Sequence, residues 1–177
     1  KKLKENIAMT VIYWAGDSTV KENNFCRYPQ TGIGQEFHRF LKKDVRVSNH
    51  GENGRSTKSF LDESRLAPIY NQIREGDFLF IQFGHNDEKI EDESRYTVAF
   101  GDYQDNLKKM VQAARNKMAY PVFITSVERR IFDDKNNLQI GTHRIYAEAM
   151  IELGQTLQVP VIDLNTLSHQ LIEKVGP

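Results

Sequence analysis

The sequence predicts a three-layer α/β/α fold in which helices cover both faces of a five-stranded parallel sheet. Five apolar, β-branched or aromatic runs alternate along the chain with amphipathic segments, and each interval is long enough for one helix and two loops. Three of the runs are almost continuously apolar, which is typical of strands covered on both faces. The 177 residues suit one domain with its own core, so we predict a single domain over residues 1–177.

The predicted strands follow from these runs in chain order. They begin near Met9 (MTVIYWA), Val45 (VRVSN), Phe78 (FLFIQF), Pro121 (PVFITS) and Val159 (VPVIDL). The predicted strand order is 2-1-3-4-5, the flavodoxin-like order, which places the ends of the first three strands side by side. The polar stretches 21–31, 88–96 and 133–141 are predicted surface loops.

Apolar residues at helical spacing predict the helices between the strands. The stripes are Ile33, Phe37, Phe40 and Leu41; Leu66, Ile69, Tyr70 and Ile73; Tyr103, Leu107, Met110, Val111, Ala114 and Met118; Tyr146, Ala149, Met150, Leu153 and Leu157; and Leu167, Leu171, Ile172 and Val175. Asp102 is the predicted N-cap of the third helix and Thr142 that of the fourth, because their side-chain oxygens can accept hydrogen bonds from the first turn.

Composition excludes several classes of partner and site. The 24 Lys and Arg residues balance 24 Asp and Glu residues, so no net charge attracts nucleic acid or an anionic membrane, and we expect neither as a partner. The single cysteine, Cys26, excludes an intrachain disulfide and a multi-cysteine zinc site. Residues 1–6 are basic but lack a signal-peptide cleavage pattern, so the expected location is cytoplasmic, or secreted if a leader was removed.

Three loops that follow the first three predicted strands carry the residues best suited to chemistry. They are Gly16-Asp17-Ser18-Thr19, the stretch 50–56 (HGENGRS) and Gly84-His85-Asn86-Asp87. In open α/β sheets, functional groups gather beyond the carboxyl ends of the strands. The predicted strand order therefore brings these loops to one place.

The three loops supply a hydroxyl nucleophile and donors for an oxyanion. Ser18 lies where a strand breaks into a turn, and Asp17 can hold that turn by accepting backbone N–H bonds. Gly54 offers an unobstructed backbone N–H, and Asn86 offers a side-chain N–H that does not titrate. Together they suit acyl transfer through a tetrahedral intermediate. Taken singly, Ser18 reads as a helix N-cap, Gly54 as a turn glycine and Asn86 as a turn or cap residue.

Several motifs give the chain a resemblance to a known family. Besides GDST at 16–19, they are PQTGIGQ at 29–35, NGRS at 53–56, FGHND at 83–87, VERR at 127–130 and PVIDL at 160–164. The sequence resembles the SGNH (GDSL-type) hydrolase superfamily, and within it the rhamnogalacturonan acetylesterase group. Ile33 departs from the pattern, since that group tends to have Trp at this position.

The resemblance implies the SGNH hydrolase fold and a serine esterase. Such an enzyme would remove acetyl groups from carbohydrate, here pectic rhamnogalacturonan, through an acetyl-Ser18 intermediate, with an acetylated oligo- or polysaccharide as partner and without a metal or other cofactor. Ser18 would be the nucleophile and first oxyanion amide, Gly54 the second donor and Asn86 the third. Lipase, thioesterase and acetylxylan esterase activities, acyl transfer to an acceptor other than water, and the oligomeric state stay open.

The fourth marker of the superfamily, a histidine in an Asp-x-x-His motif after the fifth strand and its helix, does not occur in this sequence. In the family pattern it would fall beyond Pro177, so we expect the chain to lack a C-terminal loop and helix. A serine hydroxyl is a poor nucleophile without a base to accept its proton, and we therefore expect impaired activity.

The resident histidines are weak substitutes for that base. His169 lies six residues after Asp163 on the predicted last helix, where a solvated position is expected. His85 adjoins Asn86 and could act as a surrogate base, a substrate contact or a loop anchor. The others are expected at the surface or at caps, without a metal-ligand spacing. These are His38, His50 and His143.

Two charged stretches and one alternative function complete the sequence-based predictions. Arg129 and Arg130 could bind a uronic-acid carboxylate, or form a salt bridge to an acid such as Asp133. The acidic run over residues 87–93 is interpreted as exposed surface. A non-catalytic flavodoxin-like domain is the alternative, with residues 16–19 as a phosphate nest, although the Asp17 carboxylate would repel a phosphate.

Overall fold

The computed structural model describes residues 9–177 apart from the side chain of Phe25, and the basic segment 1–6 lies outside the described residues. The sheet consists of five parallel strands in the order β2-β1-β3-β4-β5. They are β1 (Thr10–Gly16), β2 (Val45–Asn49), β3 (Phe78–Gln82), β4 (Tyr120–Ile124) and β5 (Val161–Ile162). The predicted fold class and strand order are confirmed.

Six helices connect and flank the strands in the described part of the chain. They are α1 (Ile33–Glu36), α2 (Thr57–Asp62), α3 (Leu66–Gln72), α4 (Gln104–Arg115), α5 (Arg144–Leu157) and α6 (Leu164–Val175). Short 3₁₀ turns lie at Phe25–Arg27 and Phe37–Phe40, and a π-type turn at Ala99–Tyr103 precedes α4. Within residues 9–177, none of the helices is both long and apolar enough to cross a membrane.

Two apolar clusters cover the two faces of the sheet. On one face Leu79 and Ile81 pack with residues of α2 to α5, among them Leu107 and Met150. On the other face Trp14, Phe80 and Val122 pack beneath the segment of α1 and the N-terminal end of α6. Because both faces are buried, consecutive strand residues are apolar, which explains the continuous runs.

The strand register aligns the loops that follow β1, β2 and β3. Gly16, the last residue of β1, is level with Gln82, the last residue of β3, and Trp14 is level with Asn49 at the end of β2. The carboxyl ends of these three parallel strands therefore lie at one edge of the sheet, offset from one another by at most two residues.

Three helix predictions are wrong in detail. The first predicted helix is only α1, followed by the 3₁₀ turn, and Phe40 stays exposed while Phe37 packs edge-on against Trp14 at 5.1 Å. Asp102 does not cap α4, because the preceding π-type turn runs into the helix and bonds its first N–H groups. Thr142 does not cap α5, since its hydroxyl bonds Glu88 instead.

One helix has no counterpart in the sequence-based prediction. Helix α2 begins after Ser56, whose hydroxyl accepts the N–H of Ser59 at 3.2 Å, while the Ser59 hydroxyl accepts the N–H of Ser56 at 2.9 Å. This reciprocal capping box stabilises a helix too short to show an apolar stripe. It starts directly after the loop that contains Gly54.

Candidate active site

The turn after β1 holds Ser18 in a fixed position. Asp17 is buried, and its Oδ1 accepts the Thr19 N–H at 2.8 Å and the Thr19 hydroxyl at 2.7 Å. The Thr19 hydroxyl accepts in turn from Nε2 of Gln82 at 3.1 Å, which ties the turn to the end of β3. Burial raises the pKa of Asp17, and His85 and the Thr19 bonds oppose that rise. Asp17 therefore organises the turn, and Ser18 is left half-buried at its tip.

Ser18 lines a cavity of about 290 Å³. The other lining residues are Thr19, Gln30, Thr31, Ile33 and Val127. One wall thus comes from the segment after β1 and the other from the loop after β4. Ile33, where the resembled group tends to have Trp, is part of the wall, so this chain has an aliphatic side chain beside Ser18.

The loop after β2 is attached to the Ser18 loop through its backbone. The Glu52 N–H donates to the carbonyl of Gly16 at 3.0 Å, and the Glu52 carboxylate pairs with Lys21. Gly54 has φ of +71°, a left-handed conformation that a side chain disfavours. The predicted oxyanion donor Gly54 therefore lies on a loop whose base is bonded to the end of β1.

Asn86 is buried beside the same loop. Its Nδ2 donates to the carbonyl of Arg55 at 3.1 Å, and its Oδ1 accepts from Nη1 of Arg95 at 3.4 Å. A Cβ built on Gly54 would lie 3.5 Å from the same Nη1. Gly54 and Asn86 thus share Arg95 as a neighbour.

Asp87 anchors the loop after β3 to the start of α2. Its Oδ1 accepts from the Thr57 N–H at 3.0 Å, the Thr57 hydroxyl at 2.6 Å and the Thr97 hydroxyl at 2.9 Å. Burial outweighs these donors and raises the pKa of Asp87 to about 7. The interpretation of the acidic run as exposed surface is wrong here, because Asp87 is inaccessible and Glu88 pairs with Arg129.

His85 connects three parts of the site. Its Nε2 donates to the carbonyl of Val127 at 2.9 Å, and its Nδ1 lies 3.9 Å from Oδ2 of Asp17. Since a carbonyl only accepts, Nε2 must carry a hydrogen. His85 adjoins Asn86, and Asp17 adjoins Ser18. In the described chain no hydrogen bond joins His85 to Ser18, so the geometry favours the predicted loop anchor over the surrogate base.

His143 is completely buried, so the prediction of a surface position is wrong, whereas the predicted capping position is right: His143 is the N-cap residue of α5, although its side chain caps no N–H. Its ring packs edge-on against His85 with centroids 4.4 Å apart, and its Nε2 lies 3.5 Å from Oε1 of Glu128. Gly141 makes this burial possible, because a Cβ there would lie 2.2 Å from the imidazole Cε1. Burial and the neighbouring His85 lower the pKa of His143 to about 4.

Glu128 is a further buried carboxylate, and the sequence analysis gave it no role. Its Oε1 accepts the Arg129 N–H at 2.8 Å and the Gly141 N–H at 3.3 Å. These two bonds hold together the two ends of the loop between β4 and α5. Its Oε2 lies 3.5 Å from Nδ1 of His169, so His169 is partly buried rather than solvated. Of the remaining histidines, His38 is exposed as predicted, and His50 is half-buried.

The two arginines after β4 are engaged within the chain. Nη2 of Arg129 lies 2.5 Å from Oε1 of Glu88, and Arg130 donates to the carbonyl of Gly176 at 2.7 Å. The acid that pairs with Arg129 is therefore Glu88 and not Asp133. Among the described residues, no group of three or more His, Cys, Asp or Glu side chains is arranged to hold a metal ion.

Arg95, Gln82 and Glu128 are the site residues that sequence reasoning missed. Gln82 left a visible signal, because it is a polar residue within the apolar run FLFIQF. Arg95 lies in a polar loop with several other charged residues, and nothing in the sequence distinguishes it from them. Glu128 carried no signal of burial, since its neighbours Arg129 and Arg130 suggest a solvated loop.

Comparison with known proteins identifies the family of this chain. Rhamnogalacturonan acetylesterase RhgT of Bacillus subtilis is 42% identical over 94% of this chain and 69% of its own length. The crystal structure of YxiM from Bacillus subtilis has a TM-score of 0.79 at 25% identity, covering 95% of this chain but 47% of that one. An H194A mutant of Axe2, an acetylxylan esterase from Geobacillus stearothermophilus, shares the fold at a TM-score of 0.70 and 12% identity over 93% of this chain and 80% of that one. The model of the GDSL-like Lipase/Acylhydrolase family matches residues 15–174, and this chain belongs to that family.

Proposed function

We propose that this chain is a carboxylic ester hydrolase that removes acetyl groups from carbohydrate, with acetylated pectic rhamnogalacturonan as the substrate. The observation that carries the proposal is Ser18, held at the tip of a turn by Asp17 and open to a cavity of about 290 Å³. A cavity of this size can accept an acetyl group and part of one sugar ring. The 42% identity to a protein named rhamnogalacturonan acetylesterase supports the choice of substrate.

The chemistry proceeds through an acetylated serine. The Ser18 oxygen attacks the carbonyl carbon of the acetyl ester, the sugar alcohol leaves with a proton, and water then releases acetate and restores the hydroxyl. The negative charge on the carbonyl oxygen would be stabilised by the N–H groups of Ser18 and Gly54 and by Nδ2 of Asn86. Removal of one such donor typically costs about 10²–10³ in kcat.

The proton of Ser18 needs an acceptor, and none of the described histidines is placed for that role. His85 and His143 are occupied by the contacts described above, and His169 faces Glu128. We therefore propose that the 177-residue chain turns over slowly, on the order of 10⁴–10⁶ below an enzyme with a complete triad. Added imidazole should then accelerate the chain, because it supplies the missing base.

The test measures acetate released from acetylated rhamnogalacturonan and from acetylxylan, with and without imidazole. Ser18→Ala should abolish the protein-dependent release under both conditions, whereas Thr156→Ala, which removes an exposed hydroxyl on α5, should leave it unchanged. Imidazole acting on the ester by itself appears equally in the Ser18→Ala reaction and is subtracted. Equal release by Ser18→Ala and the unmodified chain would refute the serine esterase. A preference for acetylxylan would refute the proposed substrate alone.

The phosphate-binding alternative stays a hypothesis with little support. The buried carboxylate of Asp17 occupies the centre of the loop that would form the nest, and it already accepts the Thr19 N–H that a phosphate would need.

A further inference from the structure

We infer that Arg95 is a positioning residue that fixes the orientation of the Asn86 side-chain amide for the reaction at Ser18. This inference rests on the proposed function, since it gives Asn86 the role of an oxyanion donor. Arg95 itself contacts neither the Ser18 side chain nor the cavity beside it among the described contacts. It acts through Asn86.

Arg95 is fixed by a short-range ion pair. Its Nε and Nη2 both lie 2.6 Å from Oδ2 of Asp92. Asp92 is held in turn by Ser94, whose N–H and hydroxyl donate to Oδ1 at 3.1 and 2.5 Å. The guanidinium is planar, so two fixed donors determine where the third nitrogen points. That nitrogen, Nη1, faces Asn86.

The amide of Asn86 is thereby oriented from both ends. Its Oδ1 faces the donor Nη1 of Arg95, and its Nδ2 faces the acceptor carbonyl of Arg55. Rotating the amide by 180° would place Nδ2 against a cation and Oδ1 against a carbonyl oxygen, and both contacts would be repulsive. One N–H of Nδ2 donates to the carbonyl of Arg55, and the described residues provide no acceptor for the second N–H. A single orientation of the amide keeps that second N–H available to a substrate oxygen.

The same nitrogen also adjoins the other predicted donor. Nη1 is 3.5 Å from the place where a Cβ on Gly54 would lie, so the positive charge is next to both Gly54 and Asn86. Hydrogen bonds with a charged donor are about twice as strong as neutral ones. Polarisation of the amide by Arg95 should therefore make its N–H a better donor to a developing oxyanion.

The functional test is a double-mutant cycle on p-nitrophenyl acetate hydrolysis in the presence of imidazole. Arg95→Gln should lower kcat about tenfold with little change in KM. The reason is that the Asn86 amide binds the substrate oxygen more strongly in the transition state than in the ground state. In the Asn86→Ala background the same substitution should have almost no effect. Arg95→Lys should fall between, since a lysine keeps the charge but not the fork. Arg39→Gln removes an exposed arginine from an i,i+3 ion pair with Glu36 and is the matched control without an effect.

A second readout does not depend on turnover. In ¹H–¹⁵N spectra, the Asn86 side-chain amide should give one sharp pair of signals in the unmodified chain and in Arg39→Gln, but broadened or doubled signals in Arg95→Gln. An equal tenfold loss in the Asn86→Ala background, or an unchanged amide signal in Arg95→Gln, would overturn the inference. If Ser18→Ala retains full hydrolysis, the proposed function fails, while the amide signal still decides whether Arg95 orients Asn86.

Discussion

The buried imidazole of His143 should make the stability of the fold depend on pH between about 4 and 6.5. His143 is inaccessible to solvent, and its Nε2 accepts from Nδ2 of Asn165 at 3.4 Å, which requires that nitrogen to be unprotonated. Burial and the neighbouring His85 lower the pKa from 6.5 to about 4 in the folded state. The unfolded chain therefore binds more protons in this range, and the free energy of unfolding falls as the pH falls.

The size of the effect follows from the shift of the pKa. A difference of about 2.5 pH units at 1.36 kcal/mol per unit corresponds to about 3 kcal/mol between pH 7 and pH 4. Asp87 works in the opposite direction, because its pKa is raised to about 7 and its proton stabilises the fold at low pH. The two contributions overlap, so the unmodified chain alone will not show either one clearly.

The difference in the free energy of unfolding between the unmodified chain and a His143→Gln variant isolates the contribution of His143. His143→Gln keeps a hydrogen-bonding side chain at this position but does not titrate. Urea unfolding of both proteins from pH 4 to pH 7 should show a stability difference in favour of the unmodified chain that shrinks by about 3 kcal/mol as the pH falls. His38→Gln, at an exposed histidine, should show no such change. A constant difference across the range would refute the assignment of a buried neutral imidazole.

Three further substitutions test other parts of the structure. Asp87→Asn should remove a loss of stability of ~3 kcal/mol as the pH rises from 4 to 7, because the raised pKa makes the folded state bind more protons there; urea unfolding of both proteins across this range measures it, and a stability difference between them that does not change with pH would contradict the assignment. His85→Gln should keep the bond to Val127 and most of the rate at which a fluorophosphonate labels Ser18, whereas His85→Asn should lose roughly a factor of ten; equal rates would contradict the loop anchor. Ser56→Ala should cost about 1 kcal/mol in urea unfolding through loss of the cap of α2, and an unchanged midpoint would contradict the capping box.

The fold could be predicted from the sequence because burial of both sheet faces leaves a strong apolar signal. The runs that begin near Val45 and Phe78 coincide with β2 and β3, and the order of all five strands is as predicted. Helix α2 could not be predicted from periodicity, because six residues make fewer than two turns. Its start depends on Ser56 and Ser59, whose hydroxyls bond each other's backbone, and such pairs are common in loops as well.

The candidate site was partly predictable for a different reason. Ser18, Gly54 and Asn86 follow three strands that end at the same edge, so topology alone indicates that they are neighbours. Arg95 was not predictable, because it reaches Asn86 from the far end of a polar loop. His143 was not predictable either, since its burial depends on the absence of a side chain at Gly141.

Buried carboxylates hold together the loops that no apolar pattern predicts. A buried carboxylate must be matched by hydrogen-bond donors, and here the donors come from distant parts of the chain. Asp87 accepts a hydrogen bond from Thr57 on α2, and Glu128 accepts one from the backbone N–H of Gly141, across the loop between β4 and α5. A change at Thr57 should therefore displace the loop that carries Asn86 and lower activity without any contact to the reacting ester. Residues that control this reaction are thus expected among the partners of the buried acids as well as around the cavity.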